Sequence, residues 1–295
     1  LYLADFQILE QVQAGRIPAP KFVYAPLALF AVDRDTGDLV PVAIQCAQQP
    51  GPTNPIFTPQ DGWGWMIAKT VVESADGNVH EMVSHLGRTH LFLEPFAIAT
   101  HRHLAANHPL GVLLRPHFEG TFAINHAAVE HLVNPHGPVD LLLAGTIDSS
   151  LALAATGVRS WPFNQARPPD TFSARGVDDT GALPNYPYRD DALLYWSAIR
   201  RWTAAYLSLY YPTALDLAQD YELAAWAQEL VAQDGGRVVG FGEAGGIATL
   251  DYLIDAAALI VFTGSVQHAA VNFPQFDLMS YTPNMPLAGY APAPA

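Results

Sequence analysis

His85-Leu-Gly-Arg-Thr-His90-Leu-Phe-Leu-Glu94-Pro-Phe96 is the stretch on which the reading of this chain turns. Two imidazoles stand five residues apart in an apolar segment. In a regular α-helix five residues turn about 500°, so the two side chains diverge by roughly 140°. Either they share no ligand, or the helix widens into a π-turn, which brings i and i+5 onto one face and often accompanies a functional site. Ten of the eleven histidines lie between His80 and His136, and the eleventh lies far downstream in His268-Ala-Ala-Val-Asn272-Phe-Pro-Gln275-Phe. His268 and Asn272, four apart, share a face of an ordinary helix. Both segments are too apolar to be surface elements, and burying imidazoles without partners is costly. Three imidazoles and an amide supplied by two apolar helices describe a buried site for a borderline metal.

Outward from these segments the pattern is mainly helical. Trp63 to about Ser74 has helical spacing, Ala75-Asp-Gly-Asn78 interrupts it, and a long helix follows from about Val79 to Ala106, stopping before Pro109. Arg115-Pro-His-Phe-Glu-Gly120 is a break, and Phe122–Leu132 returns to helical spacing. Residues 157–189, rich in Pro, Gly, Asp and Arg, predict a long surface excursion. Asp191–Tyr211 and Ala218–Gln233 space their apolar residues as amphipathic helices. Thr249, with Asp251 in the first turn, is an N-cap for a helix over about 250–273. The alternating runs Leu27–Asp33 and Leu39–Gln45 flank Asp-Arg-Asp-Thr-Gly-Asp and predict a β-hairpin. Residues 49–61 read as a loop. The fold class is therefore mainly α: one helical domain over residues 1–295, a small β-hairpin, and two long core helices carrying the metal ligands. The apolar run Tyr252–Val266 contains Asp255 and is short for a bilayer, so it reads as a core helix.

Composition excludes several classes. Half of the 295 residues are hydrophobic and 14% are charged, so the chain buries a core. A formal charge of −14 argues against a nucleic-acid partner and against electrostatic docking on anionic lipid. A single cysteine, Cys46, permits no internal disulfide and no Cys-x-x-Cys metal site. The compartment is left open, with the cytoplasm as the expectation.

Two motifs mislead. His80-Glu-Met-Val-Ser-His85 nearly matches the zincin pattern His-Glu-x-x-His, but its second histidine arrives one residue late. Gly240-Phe-Gly242-Glu-Ala-Gly245 fits Gly-x-Gly-x-x-Gly but lacks a preceding long strand and βαβ alternation, so it reads as a flexible connection.

The words around the ligands resemble the lipoxygenase family. His85-x4-His90, Glu94-Pro-Phe-Ala-Ile-Ala-Thr-His-Arg-His-Leu104, His108-Pro-Leu, Leu113-Leu-Arg-Pro-His-Phe118 and Ile124-Asn125 look like one signature; Ser265-Val-Gln-His-Ala-Ala-Val-Asn-Phe-x-Gln-Phe276 and Pro283-Asn-Met-Pro286 look like a second, in the same order as in the family. The resemblance covers nearly the whole chain. It implies a non-haem iron (Fe2+/Fe3+) held by His85, His90, His268 and Asn272, and a fifth ligand, the carboxylate of a final Ile, on a C-terminal segment missing from these 295 residues. It implies hydrogen abstraction by ferric hydroxide and insertion of O2 into the 1,4-pentadiene of a polyunsaturated fatty acid (linoleate, linolenate or arachidonate class), with transient membrane contact. Glu81 and Gln275 fall where groups orienting the ligands are expected; plant members carry Gln at the position of Glu81, which puts a shared amide network in doubt. Leu132 and Val139 match substrate-channel positions, and Ala128 matches the position that biases where oxygen adds. The competing reading is a catalytically inactive fragment or a lipid-binding protein that keeps the fold.

Overall fold

The computed structural model describes residues 1–243 and 246–293. The apolar alternation at the N-terminus builds more than a hairpin. β1 (Tyr2–Asp5), β2 (Leu27–Val32), β3 (Leu39–Gln45) and β4 (Ile56–Phe57) form an antiparallel sheet in the order β1-β2-β3-β4. The expected β2–β3 pair is its centre, and two short edge strands flank it. One of them, β4, falls inside the segment read as loop. Ala28 and Ile44 turn inward against Trp65 and Ala68 of the first helix.

That helix, α1 (Trp63–Val79), runs without a break into a π-helical segment, His80–Leu91, and on into α2 (Phe92–His103). The interruption expected at Ala75–Asn78 does not occur. Ala75, Gly77 and Asn78 are buried. Asn78 donates from its amide to the Ser74 carbonyl (2.8 Å) and the Leu287 carbonyl (2.8 Å), and its Oδ1 accepts from the Ala144 N–H (3.0 Å). A Cβ on Gly77 would lie 2.7 Å from Leu287 Cδ2. Residues that break an isolated helix are here the ones small or polar enough to let another segment lie against it; tertiary contact overrides propensity.

After α3 (Pro109–Leu114) and the expected turn at Arg115–Phe118 come α4 (Thr121–His131), α5 (Pro138–Leu142) and α6 (Ile147–Arg159). The segment read as a surface excursion is a set of wedges. Around α7 (Pro168–Ala174), the side chains of Phe163, Phe172 and Leu183 are no more than 2% exposed. Arg189 at the start of α8 (Pro187–Leu207) is fully buried, where it donates to the carbonyls of Val177 (3.1 Å) and Leu183 (2.8 Å) and pairs with Asp190. Polar and turn residues shape the backbone there, while one apolar anchor every few residues enters the core.

α9 (Ala214–Ala218) and α10 (Tyr221–Val231) follow. The last rod comprises α11 (Leu250–Phe262), a second π-helical segment Thr263–Gln267, α12 (His268–Asn272) and α13 (Pro274–Met279). Thr249 caps it as expected, its hydroxyl accepting from the Tyr252 N–H (3.2 Å). From Ala256 to Phe262 every side chain is buried. This rod is long and apolar enough to cross a membrane by length and composition, but 56% of its apolar window is buried within the protein. It packs against α8, α3 and the first π segment, in the same core as an aromatic cluster of Phe92, Phe96, Phe163, Trp226 and Phe241.

Candidate metal centre

The two π-helical segments meet at three imidazoles. The Nε2 atoms of His85 and His90 are 3.3 Å apart, those of His85 and His268 3.4 Å, and those of His90 and His268 3.1 Å. The five-residue spacing thus resolves as the wide turn it required: the π register brings His85 and His90 together, and His268 follows directly on the second π segment. Nitrogens each about 2.1 Å from one ion lie roughly 3.0 Å apart on an octahedral face and roughly 3.4 Å apart in a tetrahedron. The observed triangle fits a single ion held by all three.

The outer nitrogens say the same. His90 Nδ1 donates to Asn125 Oδ1 (2.8 Å), and the Asn125 amide donates to Glu94 Oε2 (3.0 Å). Gln275 Nε2 donates to Glu81 Oε1 (2.7 Å) and lies 3.1 Å from His85 Nδ1, to which the other carboxylate oxygen of Glu81 is the available acceptor at 3.5 Å. A proton held at Nδ1 leaves Nε2 with its lone pair directed inward, the tautomer a metal needs. Three lone pairs this close repel one another, and a cation satisfies them together. The electrostatics agree. Burial, and then the neighbouring His90 and His85, push His268 down to about 4. Burial likewise lowers His90, against the hydrogen bond to Asn125. Burial would raise Glu81, but hydrogen bonds from His85 and Gln275 outweigh it and hold the carboxyl below its ordinary value. Neutral imidazoles beside a charged carboxylate are the protonation states that metal binding requires.

Asn272 is half-buried one turn beyond His268, on the same face. The Glu81–Gln275 link, doubtful from the sequence, is made, as an amide–carboxylate bond rather than a pair of amides. The three channel positions are only partly brought together. Ala128 and Leu132 lie on the strip of α4 that carries Asn125, at i+3 and i+7, and Leu132 is 47% exposed. The Leu132 carbonyl accepts from the Val139 N–H (3.1 Å), which sets Val139 beside it on α5, where it packs against the core cluster that includes Met82 and Leu143.

Sequence reasoning missed the role of Asn125, although the word Ile124-Asn125 stood in the motif. It also missed the second π segment and the clamp between the rods, where His80 Nε2 bonds to the Val271 carbonyl (2.8 Å). The remaining histidines are structural or exposed. His108 pairs with Asp220 (2.9 Å), which also accepts from Tyr211 (2.7 Å). His126 and His131 flank Glu130 on the surface. The zincin near-match fails in space as in sequence, because Glu81 faces His85 Nδ1 and Gln275. Within the Gly240–Gly245 motif, Ala244 and Gly245 lie outside the described residues.

A family model described as Lipoxygenase matches residues 7–295. A linoleate 9/13-lipoxygenase of Pseudomonas aeruginosa is 44% identical over 100% of this chain and 44% of its own length. A polyunsaturated fatty acid lipoxygenase of Rattus norvegicus is 38% identical over 100% of this chain and 43% of its own. An anaerobic crystal structure of a lipoxygenase variant in complex with arachidonate superposes with a TM-score of 0.90 at 35% identity, covering 99% of this chain and 45% of the other. The chain thus spans less than half the length of these relatives.

Proposed function

Because this chain belongs to the lipoxygenase family, we propose that it is the iron-holding portion of a non-haem dioxygenase that inserts O2 into polyunsaturated fatty acids. The observation that carries the reading is the triangle of Nε2 atoms, 3.1–3.4 Å on a side, built on two π-helical segments. Imidazoles with open positions beside them suit redox-active iron rather than a closed structural site. Iron, when bound, supplies the one-electron oxidant that removes a hydrogen from an activated C–H, which no side chain here can do.

The chain's own residues do the rest. His85, His90 and His268 bind through Nε2, and Asn272, one turn on, is the weak fourth donor. Asn125 keeps the proton on Nδ1 of His90, while Glu81 and Gln275, bonded to each other, orient His85 at its Nδ1. The strip of α4 bearing Ala128 and Leu132, with Val139 beside it, is assigned to the wall along which the fatty acid and O2 approach. The relatives' names support the substrate class: one acts on linoleate, and one solved neighbour holds arachidonate.

The test is metal analysis of the purified protein, followed by oxygen uptake and conjugated-diene absorbance with linoleate. Stoichiometric iron with diene formation supports the reading. Iron without diene supports a non-catalytic role for this chain by itself. Zinc with no oxygen uptake overturns the iron assignment.

A further inference from the structure

Beside the metal-bearing turns lies a cavity of about 380 Å³, and none of His85, His90 and His268 lines it. Ser84 and Arg88 of the first π segment line it from one side, and Thr263 and Gln267 of the second from another. Its lining is mixed: Trp161, Phe172, Phe262 and Val271 give apolar surface beside the polar His80, Thr171 and Tyr188. Two arginines, Arg88 and Arg175, are among its lining residues, and none of the lining residues is acidic.

Four arginines of this chain pair with carboxylates, Arg102, Arg167, Arg189 and Arg200; among the described residues Arg88 and Arg175 belong to the larger group that does not. Arg88 stacks over Trp161, with Cζ 4.0 Å from the ring centroid, and its Nε is buried without a hydrogen-bond partner. The stacking aims the guanidinium plane while its donors stay unsatisfied. Gln267 also lines the cavity, and its Oε1 accepts from Tyr188. A buried guanidinium N–H without a partner is costly, and an anion would satisfy Arg88 while offsetting the like charge of Arg175 near it. Planar guanidinium groups match a carboxylate in two-point contact, and the aromatic walls suit an aliphatic stem. The volume falls at the small end of the range for organic ligands, about 300–1,000 Å³.

We propose that this cavity binds an amphiphilic monocarboxylate, its head on Arg88 and Arg175 and its chain against Trp161, Phe172 and Phe262. His85, His90 and His268 are not among its lining residues, and an occupant rests against the same two π segments.

Octanoate tests this, because it is saturated and its binding can be read without turnover. Calorimetry on the purified protein should show octanoate binding at least about tenfold tighter than octanol, with Arg175→Ala removing about tenfold of the octanoate affinity and leaving octanol unchanged. Arg175 is exposed just past the end of α7, so its loss leaves the core intact. Arg88→Lys, which keeps charge but loses the planar fork, should also weaken octanoate. Equal affinity for octanoate and octanol, or octanoate binding unchanged in Arg175→Ala, overturns the proposal. Octanoate no tighter than acetate and displaced by inorganic phosphate reduces the site to one for a small anion and overturns the amphiphile.

Discussion

The two rods that carry the imidazoles and the helix that steadies one of them are built on opposite terms. Along α11 seven consecutive side chains are buried, and the first π segment hides Met82, Val83, Gly87 and Thr89. α4 has no buried residue at all; Phe122, Ile124 and Val129 on it are 43–63% exposed. Yet Asn125 of α4 holds the Nδ1 proton of His90. The ligand nitrogens are therefore placed by deep packing, while the tautomer of one of them depends on an element with little packing of its own. Position and protonation are controlled by different parts of the molecule, and perturbing each should leave different marks.

The largest effect belongs to the rods. His268→Ala removes one vertex of the triangle, and no neighbouring side chain can replace it. Metal affinity should fall by more than about 100-fold, beyond what is lost when a ligand's outer partner is removed, with oxygenation falling alongside. Retained stoichiometric iron, measured by elemental analysis after dialysis, would show that the triangle is not the metal site. Asn125→Ala should act on the same metal but less, by roughly 10- to 100-fold in affinity, while thermal unfolding of the metal-free protein stays nearly where it was. If unfolding drops as far as iron affinity does, α4 contributes to the packed structure as the rods do.

How much of this was legible in the sequence follows the same division. His85-x4-His90 demanded a wide turn because an α-helix cannot bring i and i+5 together, and the structure has one. Thr249 and the β2–β3 pair were legible because caps and hairpins are local. The second π segment, Thr263–Gln267, was hidden because it carries no ligand pair whose spacing could betray it; His268 only follows it. The break expected at Ala75–Asn78 failed because Asn78 finds its partners at Ser74, Leu287 and Ala144, two of them far away in the chain. The excursion expected over 157–189 failed because composition averages over Phe163, Phe172 and Leu183, the few residues that enter the core. Asn125 was visible as a motif word, but its bond to His90 spans a contact that no local pattern encodes.

A test of intermediate size asks how tightly the first rod is packed. Gly-to-Ala inside an exposed helix ordinarily stabilises it by up to about 1 kcal/mol. At Gly87 the sign should reverse. A Cβ there would lie 2.9 Å from the Ala154 carbonyl oxygen on α6 and 3.1 Å from the Met82 carbonyl oxygen, both backbone atoms that cannot swing aside. Gly87→Ala should cost about 1–3 kcal/mol in urea unfolding and disturb the turn that brings His85 to His90. A neutral or stabilising result would mean that the rod and α6 can separate freely.

The smallest effect is expected on α4, where it is also the most discriminating. Leu132 is 47% exposed at the end of the helix, and its backbone carbonyl, not its side chain, makes the bond to Val139. Leu132→Ser therefore removes little buried apolar area, and stability should change by no more than about 0.5 kcal/mol, the usual range for surface positions. Iron content should not change, because Asn125 lies two turns away and keeps its bond to His90. Fatty-acid oxygenation is the one readout that should move, since Leu132 is assigned to the wall past which the substrate approaches; a raised KM at unchanged iron is the expected form. An unchanged KM would remove Leu132 from that wall. A stability loss of several times the expected figure would show that this face of α4 is covered in solution, and α4 would then belong with the packed rods and no longer stand apart from them.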